Sequence, residues 1–312
     1  MAAGKIYCGI GGWTYEPWRG VFYPKGLPHA RDLTYAAEHL TAIEINGTFY
    51  RTQVPATFRK WASEVPDGFM FSVKGPRYAV NRRVLAEAGD SIKRFLDSGV
   101  TELGPHLGPL LWQFTPYKKF DEKDSGKFLE LLPAKFGGRA LRHVVEPRHD
   151  SFKTPAFIAL ARKFGVAIVH AEHETYTEIA DVTADFVYAR LQKGDEKLKS
   201  GYPPKQLDAW AKRARQWAQG GEPKDLPKVD KKAAPKKARD VYVYFIHEAK
   251  LVFLSDAFTF PVLADPKQRR SHKIIRPGDV PPDFQLPGLI LLRHVILLEY
   301  PPKNIKPGWC WL

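Results

Sequence analysis

Short runs of β-branched and aromatic residues alternate along the chain with longer stretches whose apolar positions recur at helical spacing. Strand-like runs fall at 6–11, 42–46, 69–74, 108–114, 143–147, 167–171, 186–191 and 241–246. Helical patterns lie near 32–40, 56–64, 82–98, 123–132, 155–164 and 204–218, with an ambiguous stretch at 172–182. Eight such alternations predict an α/β fold, a closed (β/α)8 TIM-type barrel with an irregular C-terminal tail, because an open doubly wound sheet usually stops at about five or six strands.

The run Val-Tyr-Val-Tyr-Phe-Ile at 241–246 is almost continuously apolar and aromatic, as a strand buried on both faces must be, and is expected to close the barrel. Before it, 220–239 is rich in Lys, Pro and Ala and poor in large apolar residues, which predicts a mobile basic loop, centred on 222–239. After Lys250 the prolines of PVLADP, RPGDVPPDF and YPPKNIKPGW interrupt any eighth amphipathic helix. The expected organisation is a barrel over 1–250 and an atypical Pro-rich C-terminal extension over 251–312. Within that extension, LILLRHVILLEY fits a strand or a short helix equally well.

Composition narrows the class. At 312 residues, 44% hydrophobic and 26% charged, the chain has the make-up of a folded globular protein, which excludes disorder, coiled coil and collagen for the whole. A net charge of +14 favours anionic partners. More than half of that excess sits in 222–239 and 250–312, so charge alone says little about the barrel. Cys8 and Cys310 are the only cysteines, too few for a disulfide framework or a thiolate zinc site, and point to a cytoplasmic protein. No secretory pattern opens the sequence, and the apolar stretch 286–298, broken by Arg293 and His294, is too short to span a membrane.

Seven ordered blocks carry a family likeness: GWTYEPWRGVFYP after the first strand, IEINGTFYR (43–51), FSVKGPR (71–77), LGPLLWQF (107–114), VEPRH (145–149), VYARLQ (187–192) and VYVYF (241–245). In this order they resemble the YecE-like, domain-of-unknown-function 72 family, over about residues 5–250. The resemblance implies a TIM-type barrel, similar to those of endonuclease IV and xylose isomerase, and implies no reaction. Residues 251–312 have no counterpart in it, and Glu248 stands where such sequences commonly carry a small residue.

Residues at the C-terminal ends of barrel strands face the mouth where barrel enzymes place their sites. That rule selects Glu44, Asn46, Lys74, Gln113, Glu146, Arg148, His149, His170, Glu172, His173, Arg190 and His247. Glu44 and Glu146 lie in otherwise apolar strands, so each needs Lys74, Arg148, Arg190 or a metal as partner. One reading is a site for an anionic substrate, with Glu44, Lys74 and Glu146 catalytic, one carboxylate serving as general base and Lys74 or Arg190 as electrostatic stabiliser. In it Asn46, Gln113, Arg148, His149 and Arg190 bind substrate, and Tyr50 or Trp13 covers it. The other reading is an ion-pair network that only fills the mouth.

His149, His170, Glu172 and His173 invite a metal, but their spacing on an extended strand does not bring them together, so no metal is assigned and no cofactor is named. GIGG at 9–12 is not a dinucleotide loop, because no GxGxxG opens a helix there. Trp13, Tyr15, Trp18, Phe22 and Tyr23, interleaved with Arg19 and Lys25, fit either a base-stacking surface or a structural lid. The run KVDKKAAPKKAR (228–239) fits a solvated tether better than a nucleic-acid contact. The sequence thus points to a hydrolase acting on a phosphorylated or otherwise anionic substrate, or alternatively to a non-catalytic nucleic-acid-binding module. Neither involves a membrane.

Overall fold

The computed structural model describes residues 3–20, 22–195, 198 and 201–246. Eight parallel strands close into one barrel: β1 (Ile6–Gly11), β2 (Ala42–Ile45), β3 (Met70–Lys74), β4 (Leu107–Gln113), β5 (His143–Glu146), β6 (Ala167–Glu172), β7 (Phe186–Leu191) and β8 (Asp240–Phe245). Neighbours in space follow sequence order, and β8 pairs with β1 from Ile6↔Val241 to Ile10↔Phe245, which completes the ring. All eight expected strands form, each within two residues of its predicted ends.

Six main helices lie outside: α1 (Asp32–His39), α2 (Pro55–Ser63), α3 (Gly89–Asp97), α4 (Glu122–Glu130), α5 (Pro155–Phe164) and α6 (Pro204–Ala218). Their ends follow local chemistry. Thr154 caps α5 by accepting from the Phe157 amide at 3.2 Å, Pro155 sits at its first turn, and Gly165 stops it in the left-handed region. Asp121 caps α4 in the same manner at 2.8 Å. In α6, Leu207, Trp210, Ala211, Ala214, Trp217 and Ala218 are buried at helical spacing.

Period-2 alternation splits the core in two. Outward residues such as Cys8, Ile43, Phe71, Trp112, Val145 and Ile168 pack under the helices in one large cluster. Inward residues Tyr7, Ala42, Leu111, Val144, Val169, Tyr188, Tyr242 and Tyr244 fill the barrel itself. Tyr7 stacks on Tyr242 at 4.8 Å, and the hydroxyls of Tyr244, Tyr188 and Tyr242 meet Ser72 (2.7 Å), Glu44 (2.6 Å) and Arg142 (3.2 Å), so the interior is an aromatic column with these three polar tips bonded.

Three expectations change. The helix predicted over 82–98 starts only at Gly89: Val84 is extended, a single 3-10 turn covers Leu85–Glu87, and a separate short helix occupies Arg77–Val80. The ambiguous stretch at 172–182 is irregular beyond the end of β6. The basic segment 222–239 has no regular structure but is tied down. Asp181 accepts the amides of Val229 (2.7 Å) and Asp230 (3.0 Å), Asp230 pairs with Arg162, and Arg239 donates to the carbonyls of Gly221 and Pro235. Its charges are anchors for the chain as well as a solvated face. The expected tail over 251–312 and His247 lie outside the described residues.

Candidate functional site

The inward positions nearest the C-terminal ends of β2, β3, β4, β5 and β7 are Glu44, Lys74, Gln113, Glu146 and Arg190, and all five are buried. Sheet register aligns some of them directly, with Gln113 beside Glu146 and Glu44 level with Gly11 of β1. A one-residue slip in any strand would turn its charge outward into the helix layer.

Arg190 is the hub. Its Nε and Nη2 donate to Glu44 Oε2 (3.1 Å) and Oε1 (3.0 Å), while Nη1 donates to Glu146 Oε2 at 2.7 Å. Glu44 also accepts from the Tyr188 hydroxyl at 2.6 Å. Glu146 accepts from Gln113 Nε2 at 2.8 Å and from Arg148 Nε at 2.9 Å. Such charge-assisted pairs are what allow two carboxylates to sit fully out of water.

Burial by itself would raise the Glu146 carboxyl, but Arg190, Arg148, Lys74 and the Gln113 hydrogen bond together hold it down to about 2. For Arg190, burial favours losing the proton and the two glutamates outweigh it, so the guanidinium is held above its ordinary value. Burial pushes the Tyr188 hydroxyl well above the usual phenol range, and Glu44 adds to the push.

Lys74 differs from the rest. Only 7% exposed, its ammonium makes no hydrogen bond or ion pair among the described residues, yet it is not fully sealed off from solvent. Nζ lies 4.5 Å from the centroid of the Phe49 ring, a cation–π contact. Burial pushes its pKa down to about 8, Arg190 adds to that, and Glu44 and Glu146 oppose it. Three cations, Lys74, Arg148 and Arg190, therefore meet two carboxylates, and the carboxylate oxygens are taken by the arginines. Gly75, next to Lys74, lets the Trp112 ring pack against the backbone: a Cβ there would stand 2.5 Å from the indole.

The sequence-selected residues divide into two groups. Glu44, Lys74, Gln113, Glu146, Arg148 and Arg190 converge. Asn46 leans over β1, where a Cβ on Gly11 would lie 2.7 Å from its Nδ2, so that glycine makes room for it at the mouth. Tyr50 is 71% exposed and meets Phe49 edge-on at 5.1 Å; the ring over Lys74 is Phe49, one residue earlier on the short helix Gly47–Tyr50. Trp13 packs against Trp61 (5.3 Å) and Phe71 (6.3 Å) of the outer layer, so its contacts are those of a structural lid. His149 Nδ1 accepts the Ser151 amide at 3.1 Å and caps the turn at Asp150–Phe152.

The other histidines of the mouth are elsewhere. His170 points outward to Trp210 (5.4 Å) and Trp217 (6.0 Å), and burial pushes its pKa down to about 4. Glu178 Oε1 lies 3.3 Å from its Nε2 but without hydrogen-bond alignment. The ring borders a cavity of about 10 Å³, the size of one water, whose lining includes no member of the charged cluster. Glu172 also faces α6, accepting from Tyr202 (2.6 Å) and Trp210 (3.2 Å). His173 turns back to accept the Thr175 amide at 3.1 Å and stacks on Tyr176 at 3.7 Å. Among the described residues no three His, Cys, Asp or Glu gather as a metal site would require.

Tyr188, Phe49 and Tyr176 belong to the site and were not selected from sequence. Tyr188 had a signal: it stands two residues before Arg190 in one strand, hence on the same inward face. Tyr176 had none, since it reaches the site through an irregular loop, with Arg148 lying 4.0 Å over its ring and Nη1 donating to its hydroxyl at 3.2 Å.

A closed parallel barrel with charged groups gathered at its C-terminal mouth defines a TIM-type protein. The chain belongs to the family described as "Protein of unknown function DUF72", whose profile matches residues 7–269. It is 26% identical over 158 residues to UPF0759 protein YunF of Bacillus subtilis (strain 168), an alignment that takes in 49% of this chain and 54% of YunF. The match thus spans about half the length of that curated relative. Two solved DUF72 family structures share the fold. One from Thermotoga maritima is 19% identical with a TM-score of 0.62, covering 85% of this chain and 99% of its own. One from Enterococcus faecalis V583 is 15% identical with a TM-score of 0.62, covering 83% and 95%. No helix among the described residues is long and apolar enough to cross a membrane.

Proposed function

We propose that the protein is a cytoplasmic enzyme, a hydrolase, that binds a phosphorylated or otherwise anionic substrate at the barrel mouth. The observation that carries this reading is the unpaired ammonium of Lys74 in a cluster whose carboxylates are already occupied by Arg190 and Arg148. A buried cation without a counter-ion is costly, and an incoming anion supplies the missing partner. Arg148 Nη2, without a hydrogen bond among the described residues, is a second donor on the same side.

In this reading Lys74 stabilises charge developing on the leaving oxygen, and its pKa near 8 lets it hand over a proton at neutral pH. Glu44 and Glu146 hold Arg190 in place. Glu146, held near 2 and with both oxygens engaged, is too weak a base to abstract a proton.

A screen of phosphomonoesters, phosphodiesters and sugar phosphates tests the proposal. Lys74→Met should lower kcat of any turnover found by about a hundredfold or more, the usual effect of removing one electrostatic donor. Turnover unchanged in that variant would refute the assignment.

One observation favours a second reading, nucleic-acid binding: Tyr50 and Tyr117, 71% and 91% exposed, follow β2 and β4 on the mouth face and offer rings for stacking. Oligonucleotide affinity falling steeply with salt, and weakened by Tyr117→Ala with Lys74→Met neutral, would favour it.

A further inference from the structure

We propose that Lys74 Nζ is a carbonyl-capturing nucleophile, which condenses with the aldehyde or ketone of an anionic substrate to form a covalent imine. The inference rests on the anion reading in one respect only, that Arg148 holds the charged end while Lys74 attacks.

Burial without a partner separates this amine from the other described lysines: Lys25, Lys119, Lys123 and Lys135 have no ion pair among the described residues but are exposed, and others are paired. Lys118 pairs with Asp124 at 2.5 Å, Lys93 with Asp97 at 2.5 Å, Lys127 with Glu130 at 2.8 Å and Lys153 with Asp150 at 3.0 Å. Lys74 has no such partner and is nearly buried. Every group facing it comes from a different element. Glu44 approaches from β2, Glu146 and Arg148 from β5 and the loop after it, Arg190 from β7, and the Phe49 ring from the short helix after β2. The carboxylates among them are committed to arginines, so none is left to fix the ammonium as a tight ion pair.

A lysine becomes nucleophilic when it is desolvated or set beside another cation, and here both conditions meet. Held near 8, the amine carries on the order of a hundred times more of its neutral form at neutral pH than a lysine of ordinary pKa.

The step balances without a redox partner. The nitrogen lone pair attacks the carbonyl carbon, the C=O π pair moves to oxygen, and a proton passes from nitrogen to that oxygen. The resulting carbinolamine takes a second proton from solvent and loses water, and nitrogen's lone pair forms the C=N⁺ bond. The sum is amine, carbonyl and one proton in, and iminium and one water out. The iminium is the electron sink needed to loosen a bond one carbon away.

The experiment is reductive trapping of the full chain with dihydroxyacetone phosphate, pyruvate and pyridoxal 5′-phosphate as separate probes, each quenched with sodium borohydride, followed by intact mass and peptide mapping. The expected result is one adduct at Lys74, formed about ten- to a hundredfold faster than adducts at other lysines and rising through pH 8. Lys74→Arg keeps the cation and loses the nucleophile: it should retain binding of inorganic phosphate, read by calorimetry, and lose the adduct. Lys74→Met, checked for a cooperative melt, should lose the adduct and bind phosphate more weakly, through Arg148 alone. Adducts scattered over surface lysines with no preference for Lys74, or labelling unchanged in Lys74→Arg, would overturn the imine. Phosphate binding that survives together with such scatter sinks the imine alone, whereas wild-type protein that binds no phosphate sinks the anion reading.

Discussion

Arg190 Nη1 donates to Glu146 Oε2 at 2.7 Å across the barrel mouth, although β6 lies between the strands that carry the two residues. The intervening strand presents Ala171 on its inward face, small enough for the guanidinium to pass over it. One arginine can then hold two carboxylates from β2 and β5 at once, and its planar fork is what makes the double contact feasible.

Removing one member should therefore be severe. Glu146→Gln leaves Arg190 and Arg148 short of a counter-charge in a buried place, and urea denaturation should show a loss of about 3–5 kcal/mol. Arg190→Lys should cost nearly as much, since an ammonium cannot serve both glutamates in that geometry. A loss under about 1 kcal/mol in both would mean that the cluster is better hydrated than its burial indicates.

Lys74→Met should have the opposite sign. The folded state lowers this lysine from 10.5 to about 8, so between those values the unfolded chain binds more protons and stability rises with pH; below pH 8 the buried ammonium is a full liability. Replacing it should raise stability at pH 7 by up to about 3 kcal/mol, with the gain shrinking toward pH 10. A stabilised but inactive variant is the pattern expected of a group kept for function. A destabilised Lys74→Met would show that its attraction to Glu44 and Glu146 outweighs its burial.

Two buried histidines set the acid limb. His143 and His170 are each pushed down to about 4 by burial, His143 while bonded to Trp112 (3.1 Å) and the Pro133 carbonyl (2.9 Å). The unfolded chain takes up their protons first, so stability should fall as pH drops from about 6.5 to 4. Glu146 contributes a later loss, from about 4.5 toward 2. His170→Phe should flatten the first window, measured as the urea midpoint against pH. A profile unchanged from wild type would place the His170 ring in water.

Tyr188→Phe removes a 2.6 Å hydrogen bond to a carboxylate that Arg190 still holds. The expected cost is about 1.5–3 kcal/mol, the range for a bond to a charged group. A neutral effect in thermal melts would contradict the full burial of Glu44 and Tyr188.

Much of this was legible in the chain. Runs such as AIEI and HVVE read directly as strands, and a carboxylate inside an otherwise apolar strand must find a partner, which is why the sequence places Glu44 and Glu146 in a charged cluster. Strand ends fail as guides where outward and inward alternate: His170 and Glu172 sit at the end of β6 but on its helix-facing side. Side chains delivered by loops are the hardest to place. Phe49 rather than Tyr50 covers Lys74 because a single turn of helix follows β2, and Tyr176 arrives on a segment with no period at all. The saturation of both carboxylates by arginine, which moves the interest from Glu146 to Lys74, depends on geometry that no pattern of residue types encodes.

The most direct measurement is a titration of Lys74 itself by NMR of its selectively labelled side chain, with and without inorganic phosphate. A midpoint near 8 that moves upward when phosphate binds is the expected result, because the anion stabilises the ammonium. A midpoint at the ordinary lysine value, unmoved by phosphate, would contradict the claim that the barrel mouth holds a buried cation without a partner.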